Sequence, residues 1–153
     1  PMPVKAIPEG YHTATPYLVV RGADKTIEFL KKAFGAEPQF EPMTRPDGKI
    51  MHADLKIGDS HVMIGEASDQ HPAMPGMVHL YVPNVDAVYQ RAVAAGGISA
   101  MEPADQFYGD RGGSVKDPSG NHWYIATHIE DVPMAELKKR AEAMHKQQKG
   151  KAA

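Results

Sequence analysis

Eight histidines and no cysteine set the chemistry open to this chain of 153 residues. Without thiols there is no thiolate zinc site, no disulfide frame and no cysteine nucleophile. Any metal would therefore rest on imidazole and carboxylate. His79 lies two residues from Met77, and His122 two residues from Tyr124, so on strands each pair shares a face. His52 and Asp54 share a face in the same way, and His61 follows close to a turn at Gly58-Asp59. A metal site of His79, His122 and one carboxylate is one reading. The other makes His79 a hydrogen-bonded group in a sheet wall and His122 a rim residue beside a turn. No G-x-S-x-G, phosphate-cradling G-x-x-x-x-G-K-[ST] or H-E-x-x-H segment occurs.

The stretch 106–113, Gln-Phe-Tyr-Gly-Asp-Arg-Gly-Gly, is the other candidate. Phe107 and Tyr108 beside a glycine-rich turn can stack on a flat ligand, and Arg111 can pair with its anionic group. The competing reading spends Asp110 and Arg111 on salt bridges that hold the loop, and packs Phe107 and Tyr108 at a dimer seam. Trp123, of opposite parity to Tyr124, reads as core.

The elements that must position these residues recur. At an offset of 62, Leu18 matches Leu80, Val20 matches Val82, Asp24 matches Asp86, Ala33 matches Ala95, Gly35 matches Gly97 and Gly58 matches Gly120. Strand, helix start, helix stop and turn follow in one order in both copies, so two copies of one unit should close a site between them. Repeat one covers about residues 11–66 and repeat two about 77–131 of a single domain. Repeat one reads as a strand over 11–20, a helix over 23–34 stopped by Gly35, a strand over 37–43 and a hairpin of 50–57 with 61–65. Residues 66–76 form a linker. Repeat two reads as a strand over 78–82, Asn84 as N-cap, a helix closed by Gly96-Gly97, and strands near 98–102, 113–116 and 122–127. A third helix is expected over about 133–146, with disorder beyond it. The fold class is α+β: two tandem βαβββ repeats in a cupped mixed sheet, helices outside, plus a C-terminal helix.

The formal charge of −2 gives no reason to expect nucleic acid as partner. No run of 18 apolar residues is present, and the proline-rich start lacks the apolar core of a signal peptide, so a cytoplasmic protein is expected.

Several segments together resemble the vicinal oxygen chelate superfamily, which holds glyoxalases, bleomycin-resistance proteins and extradiol dioxygenases. They are Tyr17-Leu18-Val19-Val20, Ile27-Glu28-Phe29, Ala33-Phe34-Gly35-Ala36, His52-Ala53-Asp54-Leu55, residues 105–111, residues 117–123 and Ile125-Ala126-Thr127-His128. They are similar to its PhnB-like branch, over about residues 11–131. The resemblance implies a divalent ion held by His and Glu near the start of each repeat's first strand and on its last strand. Those positions fall here on Thr15, Met77, Val62 or Met63, and Tyr124. None is His, Asp or Glu, and thioether and phenol are poor ligands for such ions.

Without the ion, the cup face carries Thr13, Thr15, Tyr17 and Met63 from repeat one. From repeat two it carries Met77, His79, Tyr81 and Tyr124. That lining suits a mostly apolar or planar molecule, or else it fills a small core. The expected protein binds a small organic molecule with no cofactor and no catalysis, using these residues together with Tyr108 and Arg111. A homodimer is expected, with grooves at the subunit seam. The alternative is a metal-dependent lyase, isomerase or dioxygenase with ligands among His52, Asp54, Glu66, His79 and His122. A cup histidine acting as general base without metal is a third reading.

Overall fold

Glu66 and Asn84 start the two main helices by different chemistry. The computed structural model describes residues 3–152. In repeat one, helix α1 (Ala23–Phe34) begins after Gly22, whose φ of 81° only glycine adopts readily. Gly22 has no capping side chain, so the Glu66 carboxylate accepts from the amides of Gly22 (3.0 Å) and Ala23 (3.1 Å). In repeat two, helix α2 (Val85–Ala94) is capped by the Asn84 side chain, which accepts from the Ala87 amide. Gly35 ends α1 in the left-handed region, and its amide and that of Ala36 return to Lys31 and Leu30.

The strands form two sheets rather than one. Sheet one has the order β1 (Tyr17–Val20), β5 (Ser60–Glu66), β4 (Ile50–Ile57), β2 (Glu37–Pro38), with β3 (Met43–Thr44) also paired to β4. Sheet two has the order β6 (Met77–Tyr81), β9 (His122–His128), β8 (Asp110–Lys116), β7 (Ile98–Asp105). In each, the first strand of a repeat lies parallel to its last, with Tyr17 opposite Met63 and His79 opposite Tyr124. The repeat therefore governs topology as well as element order.

Several boundaries differ from expectation. The first strand starts at Tyr17, because Pro16 has no N–H to extend the ladder; its carbonyl still accepts from the Met63 amide at 3.0 Å. The strand expected over 37–43 breaks into β2 and β3, and Pro38 and Pro42 bracket the gap. Strands β7 and β8 extend to a tight connection at 106–109, so β8 begins at Asp110 rather than Gly113. The final helix α3 runs Met134–Ala152, well past residue 146: the segment from Gln147 to Lys151 is helical, and Ala153 lies outside the described residues. No proline interrupts that stretch, and its Lys, Gln and Ala favour the helix.

Both helices pack on the same core. Leu18, Val20, Ile27, Phe29, Leu30, Leu55 and Ile64 of repeat one join Val85, Val115, Trp123 and Ile125 of repeat two in one buried cluster. Phe34 lies 5.2 Å from Trp123 between ring centroids, so the repeats are joined through side chains. The turn at 117–121 adds polar ties: Ser119 Oγ donates to the Arg21 carbonyl at 2.8 Å, and Asn121 Oδ1 accepts from the Gly76 amide at 2.8 Å. Among the described residues, no helix is long and apolar enough to cross a membrane.

Candidate functional site

Alternation along β6 and β9 sends Val78, Leu80, Trp123 and Ile125 toward the helices, and Met77, His79, Tyr81 and Tyr124 to the opposite face. The four outward side chains stand on adjacent parallel strands. His79 lies 4.7 Å from Tyr124 and 4.9 Å from Tyr81 between ring centroids, both pairs tilted. The loop at 106–109 brings in a fourth ring, with the Tyr108 hydroxyl 2.9 Å from that of Tyr124. Met77 and Tyr81 are about two-thirds exposed, at 65% and 64%.

What lies beneath the rings explains how they are held. Tyr124 passes over Gly112, where any Cβ would collide with its ring. Asp110, one step further on that face, is a buried carboxylate. The Tyr81 hydroxyl donates to its Oδ2 at 2.8 Å, and His128 Nδ1 meets its Oδ1 at 2.8 Å. His128 Nε2 reaches Asp131 at 2.7 Å, so this imidazole bridges two carboxylates. Burial would push the Asp110 carboxyl up, but the bonds from His128 and Tyr81 outweigh it and hold Asp110 below the usual carboxylate range. The bond to Asp110, followed by that to Asp131, pushes His128 up. Burial, then the bond to Tyr108, pushes the Tyr124 phenol up, and the bond to Asp110 does so for Tyr81. Both phenols thus stay protonated at neutral pH. This face offers ring surfaces, phenol hydroxyls and the imidazole of His79.

Helix α3 reaches the face through one side chain. Arg140 binds Glu130 with two bonds (2.7 and 3.0 Å) and donates to the Phe107 carbonyl at 3.2 Å. The Gly109 carbonyl accepts from the amides of Ile129 and Glu130. The loop bearing Tyr108 is therefore clamped to the end of β9.

Arg111 lies on the other face of β8. Its guanidinium binds Asp86 of α2 with two bonds (2.8 and 2.9 Å) and Asp105 at 3.1 Å, and these carboxylates raise its pKa further. It stands apart from Tyr108 and Tyr124, held by salt bridges. Phe107 packs edge-on against Tyr108 at 5.2 Å.

Sheet one carries a comparable arrangement. Asp54, paired with Met63 in register and 1% exposed, accepts from the Tyr11 phenol and meets His61 Nδ1 at 2.9 Å. Tyr11 stacks on His61 at 3.9 Å, so the arm before β1 folds across this face. His52 meets the Tyr17 hydroxyl at 3.2 Å and lies 5.8 Å from the Phe40 ring. Thr15 lies in the coil before β1, half-buried, beside His12, Pro16 and His61.

The possible metal ligands are therefore dispersed. His52 and Asp54 belong to sheet one, His79 and His122 to sheet two, and Glu66 is occupied by helix amides. Among the described residues, no three His, Asp or Glu side chains gather to hold an ion. The four positions that the superfamily uses for ligands do not supply a fitting donor set.

Sequence reasoning missed Asp110, His128, Tyr11 and His61 as partners within these faces. Parity along β8 would have placed Asp110 with Gly112 and Ser114, had the strand been started at Asp110.

The fold and its face define a two-repeat α+β class with paired four- and five-stranded sheets. Residues 11–125 match the Glyoxalase/Bleomycin resistance protein/Dioxygenase superfamily, and the chain belongs to it. An uncharacterized protein of Mycobacterium bovis is 37% identical over 137 residues, spanning 80% of this chain and 88% of that one. One from Mycobacterium tuberculosis is also 37% identical, spanning 80% and 78%. Among solved structures, TioX from Micromonospora sp. ML1 is similar with a TM-score of 0.65 and 25% identity, over 77% of this chain and 99% of TioX. Protein PA1353 from Pseudomonas aeruginosa shares the fold with a TM-score of 0.62 at 20% identity, over 78% and 99%.

Proposed function

We propose that this protein binds a small planar aromatic molecule on the open face of sheet two, without metal chemistry. The observation that carries the reading is the chain of four rings in which His79 meets Tyr81 and Tyr124, and Tyr124 meets Tyr108. Each ring is braced by a hydrogen bond or by a tilted or edge-on ring beside it. Two chemical features favour a cationic or electron-poor ligand. Tyrosine faces are electron-rich, and the ionised Asp110 lies behind them. Met77 extends the platform with a polarizable edge.

A homodimer completes the groove in this reading. Met77 and Tyr81 expose large apolar surface on the face of sheet two, and a second copy laid across them would form the missing wall. The cysteine-free chain suits work in a reducing cytoplasm. The scattering of His52, Asp54, His79 and His122 supports binding without a resident ion.

The test is purification without a metal-affinity tag, a metal assay, and titration with ethidium as a planar cationic probe. Substoichiometric metal and saturable ethidium binding are expected, with Tyr124→Ala weakening it about tenfold, the loss of one stacked ring. Stoichiometric metal that disappears in His79→Ala would overturn the reading in favour of a metal-dependent enzyme.

A further inference from the structure

We propose a second ligand site, on sheet one, that takes a small organic carboxylate with an aromatic or branched apolar body. The site is a cavity of about 530 Å³, within the roughly 300–1,000 Å³ range of small-molecule sites. Tyr17, Val19, Met51 and Gly65 form its floor, and Arg45 and His71 its wall.

Two departures from regular sheet geometry open it. Between β3 and β4 the register slips, with Met43 opposite His52 but Thr44 opposite Ile50, so Met51 has no partner. Such a bulge re-aims a side chain and bends its strand. Here Met51 lines the cavity, although Ala53 and Leu55, of the same parity, are core. The second departure is Gly65. A Cβ there would stand 2.7 Å from the Met51 carbonyl oxygen and 2.8 Å from the Tyr17 hydroxyl. Only a residue without a side chain lets Tyr17 and the β4 backbone close over β5 in this way.

Charge selects the ligand class. The Arg45 guanidinium is loosely engaged: it meets Asp47 at 3.3 and 3.4 Å and the Ala67 carbonyl at 3.4 Å, all at the long limit of such bonds. Asp47 holds the guanidinium fork on both of its oxygens only at this long limit, so a ligand carboxylate can displace it by making the same two bonds at the shorter distances of a charge-assisted pair. Glu66 also borders the cavity, but its oxygens face the α1 amides, whose partial positive charge offsets it. His71 also lines the cavity. Exposed Tyr17 and Met51 then cover an apolar body. The site belongs to the other repeat from the four-ring face and favours the opposite ligand charge, so the two are separable.

The experiment is calorimetric titration with 2-naphthoate and phenylacetate, and with phenylacetamide as the neutral analogue. Saturable 1:1 binding of a carboxylate is expected, weakened about tenfold both for the amide and in Arg45→Gln, as loss of a charge-assisted pair requires. Arg45 lies at the surface, and circular dichroism verifies that the variant is folded. Tyr124→Ala leaves carboxylate binding unchanged, and Arg45→Gln leaves ethidium binding unchanged. Absence of saturable binding by both carboxylates up to about 10 mM overturns the proposal. So does equal affinity for the amide, or equal affinity in Arg45→Gln.

Discussion

Removing the Asp117 carboxylate should cost this protein a large share of its stability, because one buried side chain satisfies four donors. Oδ1 accepts from the amides of Ser119 (2.9 Å) and Asn121 (3.0 Å), and Oδ2 from Asn121 Nδ2 and Trp123 Nε1 (both 2.9 Å). Asn121 and Trp123 are both fully buried, so their side-chain donors have no water to turn to. Each orphaned donor costs about 1–3 kcal/mol, which places Asp117→Ala near ~4 kcal/mol for those two donors together. A chain of this length holds ~5–15 kcal/mol in all, and ~4 kcal/mol corresponds to a fall in Tm of about 8–16 °C. The loss also reaches the binding face, because Asn121 Oδ1 accepts from the Gly76 amide and so fixes the start of β6 at Met77. Urea unfolding of the wild type, Asp117→Ala, Asp117→Asn and Trp123→Phe measures this. Asp117→Asn keeps an oxygen for the two backbone amides and should fall between wild type and Ala. A cycle of Asp117→Ala with Trp123→Phe should show coupling of about 1 kcal/mol or more, since each removes one side of the same bond. A destabilisation below ~1 kcal/mol for Asp117→Ala, or additive effects in the cycle, would refute the argument.

Three further outcomes follow from the same geometry. His128 is raised by Asp110 and then Asp131, so its contribution is fully present below its unfolded pKa of about 6.5 and is lost as pH rises through the higher folded value. Asp110 is lowered, so its contribution is present above its unfolded pKa of about 3.9 and is lost as pH falls through the folded value. Urea midpoints followed across pH should lose the alkaline-side decline in His128→Gln; an unchanged profile contradicts the bridge. Glu66→Ala removes the acceptor for two helix amides and should cost about 1 kcal/mol in urea unfolding, with Glu66→Gln milder. Gly112→Ala drives a methyl group into the Tyr124 ring, so it should cost about 1–3 kcal/mol and weaken ethidium binding, read by titration and thermal unfolding.

The legible parts of the fold were those governed by local backbone chemistry. Gly35 ends α1 and Asn84 starts α2 where their types demand, and the hairpin turns at Gly58. Parity alone put His79 and Tyr124 on one face and Trp123 in the core. What escaped depended on where a strand begins or on residues distant in the chain. Starting β8 three residues late hid that Asp110 and Arg111 point to opposite faces. The bond of Tyr11 to Asp54 spans 43 positions, and no spacing rule relates a coil residue to a strand so far away. The bulge at Met51 arises from pairing with β3, itself only two residues long.

The meeting of Phe34 and Trp123 makes the stability of each repeat depend on the other. Helices α1 and α2 lay their apolar sides into one core, so the two halves share a single interior. A fragment ending in the linker would leave Phe34 without Trp123, and its complement would leave Trp123 without Phe34. One shared interior makes the two open faces interdependent: the halves are expected to unfold in a single transition, so a lesion in either repeat loosens both faces.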